Sequence, residues 1–179
     1  MLSGLVVFGA IVAVIFAFVL IYNGLVAAAE KATRAWTDLD TLLHQRHEEI
    51  PRIVELCEPY LARERILLDG LLEARAAVFA ARQTRDADAL GRAEAQLRAA
   101  ATALMTRAAA QPELVASPVF GRARQRQATL DLELKGVLDR YNDAVRDYNA
   151  AIGRAPGNLV ALVAAFPRLR PLDFGHASS

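Results

Sequence analysis

Cysteine, glycine and proline are scarce in this sequence, and each scarcity excludes a class of protein. The one cysteine, Cys57, permits no disulfide within the chain and fits a reducing compartment. The ten glycines and seven prolines fall at a few places and form no low-complexity linker. A net charge of +1 argues against a protein built to hold nucleic acid, which normally has a strong basic excess. Segments rich in Ala, Leu, Arg and Glu, with no alternating pattern, predict an all-α fold.

Charge is also missing from the amino end, where Glu30 is the first charged side chain. As a helix, Leu5 to Val26 would be ~33 Å long, enough to cross the hydrocarbon core of a membrane. A buried core helix seldom contains so long an uncharged run. A cleaved signal peptide would need a basic start, and no Lys or Arg precedes the run. We therefore predict an uncleaved transmembrane anchor over residues 1–26, with residues 2–26 in contact with lipid.

The basic residues that flank the anchor predict on which side of the membrane the rest of the chain lies. Lys31, Arg34, Arg46 and Arg52 follow it, whereas only the terminal amine precedes it. Because Lys and Arg are retained on the cytoplasmic side, the sequence predicts a single-pass protein of the inner membrane. Its amino terminus would lie outside and its helical domain in the cytoplasm.

After the anchor, apolar residues recur at the helical period. We expect the anchor to run on into a first soluble helix, with Trp36 and Leu39 on its apolar face and Arg46 opposite. Pro51 disfavours helix at the residue before it, which predicts a break there and a new helix starting at Pro51. Asp86 is the expected N-cap of the third helix, and Ser117-Pro118 the expected start of the fourth. The predicted helices cover residues 27–50, 51–82, 87–110, 118–154 and 158–166, within a domain of residues 27–166, and residues 167–179 form a tail.

Four amphipathic helices with short connections are most simply buried as an antiparallel four-helix bundle followed by a short C-terminal helix. The predicted second helix is longer than the soluble part of the first, so its far end would return to the bilayer surface. Basic residues at that level would form a membrane-proximal rim on anionic lipid. Ordinary solvated arginines are the alternative. The candidate membrane-surface residues are Arg82, Arg85, Arg154, Arg168 and Arg170.

Two Tyr-Asn pairs seven residues apart place both tyrosines on one face of the last long helix and both asparagines on a neighbouring one. In one interpretation the tyrosine rings extend the core and their hydroxyls reach its edge. In the other, the asparagines bond to a facing helix or a partner and fix the register. The candidate interaction or register residues are Trp36, Tyr141, Asn142, Tyr148 and Asn149.

His44 and His47 lie three residues apart beside Glu48, a spacing that can hold a metal. The sequence lacks the repeated Glu-x-x-His of a di-iron bundle and the His-Glu-x-x-His of a zinc hydrolase. We interpret the histidines as part of a surface turn, and we expect no metal and no cofactor. Without a recognisable phosphate loop or Ser/His/Asp set, the sequence predicts no enzymatic activity.

Several blocks in a fixed order resemble the LemA family of bacterial membrane proteins. The similar segments cover residues 22–26, 35–40, 46–51, 112–120, 141–149 and 156–161. Departures occur at Gln45, where members often have Arg, at Gln111, where they have Tyr, and at residues 131–134. The resemblance implies a single N-terminal span, a cytoplasmic four-helix bundle and no established enzymatic activity.

The expected function is therefore that of a membrane-anchored scaffold or adaptor that presents a surface to protein partners. One alternative is a metal-binding or enzymatic bundle that uses His44 and His47. Another is a homo-oligomer that organises the membrane. No nucleic-acid partner is expected, because the arginines near residue 124 have no aromatic residues among them.

Overall fold

The computed structural model describes residues 2–84 and 86–174, and all regular structure in these ranges is helical, which confirms the all-α class. The helices are α1 (Leu2–Cys57), α2 (Arg65–Thr84), α3 (Ala87–Ala109), α4 (Pro112–Val115), α5 (Pro118–Gly153) and α6 (Gly157–Val163), with a 3₁₀ turn at Ala62–Glu64.

The chain divides into two compact units. The first contains residues up to Thr37 and the segment Asp139–Pro171. The second contains Asp38–Leu138 and, among the described residues, the segment 172–174. Helices α1 and α5 therefore contribute residues to both units, whereas α2, α3 and α4 belong to the second and α6 to the first.

Helix α1 begins with a long apolar stretch whose side chains face outward. Its large residues from Leu5 to Leu20 are exposed, and an 18-residue window reaches a mean hydropathy of 3.1 with none of it buried. Among the described residues this is the one helix long and apolar enough to cross a membrane. A soluble helix would cover such a surface with protein.

The predicted break at Pro51 is wrong. Helix α1 continues through Pro51 to Cys57, and the interruption follows at residues 58–61, around Pro59. Pro51 has no N–H, so the carbonyl of His47 loses its usual helical partner. The Arg75 Nε of α2 donates a hydrogen bond to that carbonyl at 3.0 Å. A side chain from a neighbouring helix thus supplies the missing donor, which explains how α1 passes a proline without ending.

Replacing Arg75 with methionine should therefore lower the free energy of unfolding by about 1–2 kcal/mol, because the half-buried carbonyl of His47 loses its donor. In a Pro51→Ala background the same replacement should cost less, since residue 51 then donates through its own N–H. Urea unfolding of the full chain in detergent micelles, followed by circular dichroism, measures both. An equal cost in the two backgrounds would show that Arg75 does not act through this carbonyl.

Helix α2 begins at Arg65 rather than Pro51, so the predicted long second helix does not form. Arg82 of α2 pairs with Asp40 of α1, while Arg75 reaches His47. In these contacts the residue number on α2 decreases as the residue number on α1 increases. The length comparison that brought the end of α2 to the bilayer therefore no longer holds. Helix α3 is capped by Asp86, as predicted, whose carboxylate accepts from the N–H groups of Asp88 and Ala89.

Helix α5 begins at Pro118, as predicted. In the first unit, Lys31 of α1 pairs with Asp147 and Trp36 packs on Tyr141. In the second unit, Arg46 pairs with Asp131, and Arg126 approaches Glu49 at 3.9 Å. Within each unit, position numbers on α5 fall as those on α1 rise.

Each unit has an apolar core of its own. The first is built on Leu25, Tyr148, Ile152, Val160 and Ala161. The second buries leucines from all four of its long helical segments, with Leu43 from α1, Leu71 from α2, Leu97 from α3 and Leu130 from α5.

The described part of the predicted tail contains buried residues. Residues 167–174 have no helix, yet Leu172 and Phe174 are buried in the second unit at 3% and 2% exposure. The backbone there lies so close to α3 that a Cβ added to Gly91 would overlap the carbonyl oxygen of Asp173. Two apolar residues separated by a charge carry no periodic signal, so the pattern could not reveal this packing. His176, also predicted in the tail, lies outside the described residues.

Candidate functional site

Three side chains of α5 hold the carboxyl-terminal segment of the first unit by its backbone. The Tyr148 hydroxyl donates to the Pro167 carbonyl at 2.7 Å, and the Tyr141 hydroxyl donates to the Arg170 carbonyl at 3.1 Å. Between them, the Asn149 amide donates to the Leu169 carbonyl at 2.7 Å and accepts from the Leu169 N–H at 3.1 Å. These bonds satisfy backbone groups of a segment that has no regular structure to do so. We call Tyr141, Tyr148 and Asn149 the tail-binding residues.

Contacts from α1 support the tail-binding residues. The Trp36 ring packs edge-on against Tyr141 at 5.6 Å between centroids. The Lys31 ammonium lies 2.8 Å from the Asp147 carboxylate, and its hydrogen bond lowers the pKa of Asp147 below the ordinary value. Burial raises the pKa of Tyr141 and of Tyr148, so both hydroxyls keep their protons and remain donors.

Four of the five predicted interaction residues therefore meet in the first unit, where three bind the chain's own segment and Trp36 packs on Tyr141. The tyrosine rings are buried and their hydroxyls reach the core edge, as the first of the two interpretations has it. Asn142 is half-buried on the same helix. Whether any of the five also contacts a partner stays a prediction.

The predicted membrane-surface arginines occupy different environments. Arg154, Arg168 and Arg170 are exposed in the first unit. Arg82 belongs to the second unit, where it pairs with Asp40 and is largely covered. Arg85 lies outside the described residues. The lipid-binding role of these residues stays a prediction.

The second unit contains a group of ionisable side chains, three of them buried and one partly exposed, which we call the charge cluster: Arg46, His47, Glu94 and Asp131. Glu94 is 1% exposed, and its carboxylate accepts from Arg46 Nη1 at 2.8 Å and lies 2.9 Å from His47 Nε2. Arg46 Nε lies 2.8 Å from Asp131 Oδ1. Asp131 is partly exposed and also accepts from Gln127 Nε2 at 3.4 Å. A buried carboxylate needs such partners, because burying it alone would cost several kcal/mol.

The expectation that Arg46 faces away from the core is wrong, and so is the interpretation of His47 as part of a surface turn. Arg46 and His47 are only 3% and 4% exposed. Starting from Leu39 and Leu43, the helical period brings positions 46, 47 and 50 to the same face. Glu94 likewise lies between Leu90 and Leu97 on the apolar face of α3. The sequence therefore contained a signal for this cluster, because Arg46 and His47 fall at core positions of α1 and Glu94 falls at a core position of α3.

The members of the cluster contact one another through ion pairs and hydrogen bonds. His47 bonds to Glu94, whereas His44 is exposed and pairs with Glu48 at 3.2 Å. The two histidines therefore contact different carboxylates and do not form a shared ligand set. In residues 2–84 and 86–174, no three metal-binding side chains come together. Beside the cluster, a groove of about 460 Å³ between α3 and α5 is lined by Arg46, Arg98, Gln127 and Asp131.

Cys57 closes α1 in the core of the second unit, where burial raises its thiol pKa to about 11. The thiolate fraction at neutral pH is thereby about a hundredfold below that of an ordinary cysteine. We expect maleimide to modify Cys57 in the unfolded chain and to leave it unmodified in the native protein over the same time. Equal rates in native and dodecyl-sulfate-treated samples, read by mass spectrometry, would contradict the burial.

A protein-family model matches most of this chain. The LemA family model matches residues 35–177, which include the tail-binding residues and the charge cluster. The chain belongs to the LemA family. No curated protein matches it.

The LemA match starts after the apolar part of α1, so the membrane span is inferred from that part's own sequence and exposure. One departure from the family pattern, residues 131–134, includes Asp131 of the charge cluster. In this LemA chain that position completes an internal ion pair.

Proposed function

We propose that this LemA protein is a non-enzymatic scaffold or adaptor held at the cytoplasmic face of the inner membrane. The observation that carries the proposal is the continuity of α1, which joins an exposed, uncharged stretch to packed helices without a break. Such a stretch is stable in lipid because a helix satisfies its own backbone bonds there. Lys31 and Arg34, which follow it, favour a cytoplasmic head and an outside amino terminus.

We further propose that the second unit is an antiparallel four-helix bundle. Support comes from the contacts of α1, which meets α2 through Asp40 and Arg82 and meets α5 through Arg46 and Asp131. Helix α3 joins through Glu94, and α2 packs along α3. Helices with one apolar face usually bury these faces together, as four parallel or antiparallel helices around a core of leucines.

A non-enzymatic role is supported by the way the charged groups are used. Glu94 is shared by Arg46 and His47, and Arg46 is shared by Glu94 and Asp131. A catalytic acid or base needs to reach a substrate proton, whereas Glu94 and His47 are buried and bond to each other. The cluster is thus suited to fix the register of α1, α3 and α5, as buried polar groups do in other bundles.

Two other functions remain as alternatives. A metal-binding or enzymatic bundle based on His44 and His47 would be favoured by stoichiometric zinc or iron in the purified protein, which would overturn the scaffold proposal. A homo-oligomer would be favoured by cross-links between copies. Gly4 and Gly9 miss the spacing of the small-residue motif that pairs membrane helices, so the span offers that alternative no support.

The topology is tested with single cysteines in a Cys57→Ala background. We expect Ser3→Cys to react with a membrane-impermeant maleimide in cells whose outer membrane has been permeabilised. The exposed Glu113→Cys should react only after lysis of the inner membrane. The reverse pattern would contradict the proposed orientation.

The adaptor role is tested by capturing neighbours in the membrane. A photo-reactive amino acid at exposed positions of α2 and α5 should give a small set of protein adducts. Adducts that change with the position of the probe would locate the partner surface. Absence of protein adducts from every exposed position would contradict the adaptor proposal.

A further inference from the structure

Helix α6 is apolar on both of its faces, although only one face is covered by protein. Gly157, Val160 and Ala161 are buried against the first unit. Leu159, Leu162 and Val163 lie on the other face and are 65%, 80% and 75% exposed. Asn158 is the one polar side chain in the helix. In the second unit the exposed large apolar residues, such as Leu132, are scattered along the helices, whereas these three lie together on one short helix.

The buried face of α6 packs on α1 at the end of its uncharged run. Val160 and Ala161 share a core with Leu25, and Ile21, Ala28 and Ala29 pack around it. A Cβ at Gly157 would lie 3.8 Å from Leu25 Cδ2. Helix α6 is therefore at the level of residues 21–29 of α1, before the first charged side chain, Glu30.

That level corresponds to the interface of a membrane. Residues 2–29 make a helix of about 42 Å, roughly 12 Å more than the hydrocarbon core, so the last two turns reach the headgroup layer. Tyr22 lies there, with the ring of Phe166 5.8 Å away and edge-on. Aromatic rings of this kind are typical of the membrane–water interface.

The charges around α6 fit the same surroundings. From Tyr148 to Leu172 the chain has no acidic residue, but it has three arginines. Arg154 precedes α6, Arg168 follows it, and both are exposed. Basic side chains beside an apolar surface are favoured where anionic phospholipid headgroups meet acyl chains.

We propose that α6 is a second membrane-contacting element, whose Leu159, Leu162 and Val163 insert into the leaflet from which α1 emerges. The inference rests on the proposed membrane anchor. It adds a second attachment, in which α6 lies on the membrane surface whereas α1 crosses the bilayer. The apolar face then needs no protein partner, because the bilayer that α1 already occupies covers it.

The test uses the full chain in vesicles of phosphatidylethanolamine and phosphatidylglycerol, in a Cys57→Ala background. The environment-sensitive dye NBD is attached to Leu162→Cys, and nitroxides are placed either high or low on the acyl chains. Leu162 is exposed, so its replacement leaves the packing intact. Ile11→Cys reports the span, and Leu132→Cys is the matched exposed leucine of the second unit.

We expect nitroxides near the headgroups to quench the dye at Leu162 more strongly than deep nitroxides, with the reverse order at Ile11 and little quenching at Leu132. Quenching at Ile11 with none at Leu162 would overturn the proposal for α6 while the anchor stands. Absence of quenching at Ile11 would overturn the anchor itself. A blue-shifted, unquenched dye at Leu162 that responds to protein concentration would show a second copy on this face, which also overturns the proposal.

Discussion

Replacing Glu94 with leucine is expected to lower the free energy of unfolding by about 3–5 kcal/mol, the usual cost of removing one member of a buried ion pair. Arg46 Nη1 and His47 Nε2 both lose the carboxylate to which they bond, and both residues are buried, at 3% and 4% exposure. Urea unfolding of the full chain in micelles measures the change. Glu133→Leu on the exposed face of α5 is the matched control and should stay within about 0.5 kcal/mol.

A second replacement separates charge balance from other roles of Glu94. Combining Glu94→Leu with Arg46→Met removes both charges and restores apolar volume, so the double variant should be more stable than Glu94→Leu alone. If the double variant instead loses the sum of the two single costs, Arg46 and Glu94 do not stabilise each other.

The second large effect is expected at Phe174, whose replacement by alanine should cost about 3–5 kcal/mol because a fully buried aromatic side chain is lost. Hydrogen exchange of α3 in the full chain measures the change locally, since Phe174 belongs to the same unit. Amides of α3 near Gly91 should lose protection more than those of α6. Unchanged protection throughout α3 would show that residues 172–174 do not pack in the second unit.

A replacement in α3 tests the packing of residues 172–174 independently of Phe174. A methyl group at Gly91 would overlap the Asp173 carbonyl, so Gly91→Ala should displace the segment and reduce protection as Phe174→Ala does. Gly70 of α2 has nothing within 4 Å of its added Cβ and is the matched control. There, alanine should be neutral or stabilising by up to about 1 kcal/mol.

Local signals in the sequence were sufficient for much of the fold. The absence of charge before Glu30 predicted the long exposed start of α1. Asp86 and the Ser117-Pro118 pair predicted where α3 and α5 begin. Each of these signals acts through its immediate neighbours in the chain, so no tertiary information was needed.

The features that the sequence concealed all depend on contacts distant in the chain. Pro51 is a helix breaker by local rules, and the hydrogen bond that it cannot donate to the His47 carbonyl comes from Arg75 on another helix. Arg46 and His47 look like surface residues until Glu94 is placed beside them. Phe174 has no periodic neighbours, and it becomes a core residue through the close approach of backbone that Gly91 permits.

The membrane attachment of α1 is tested by washing membranes that contain the full chain with alkaline carbonate. We predict that the chain stays with the sedimented lipid. A Val12→Asp/Phe16→Asp variant should be released, because each acid in the span costs about 2.5–3.5 kcal/mol. Release of the unmodified chain into the supernatant, to the same extent as the variant, would contradict a transmembrane anchor.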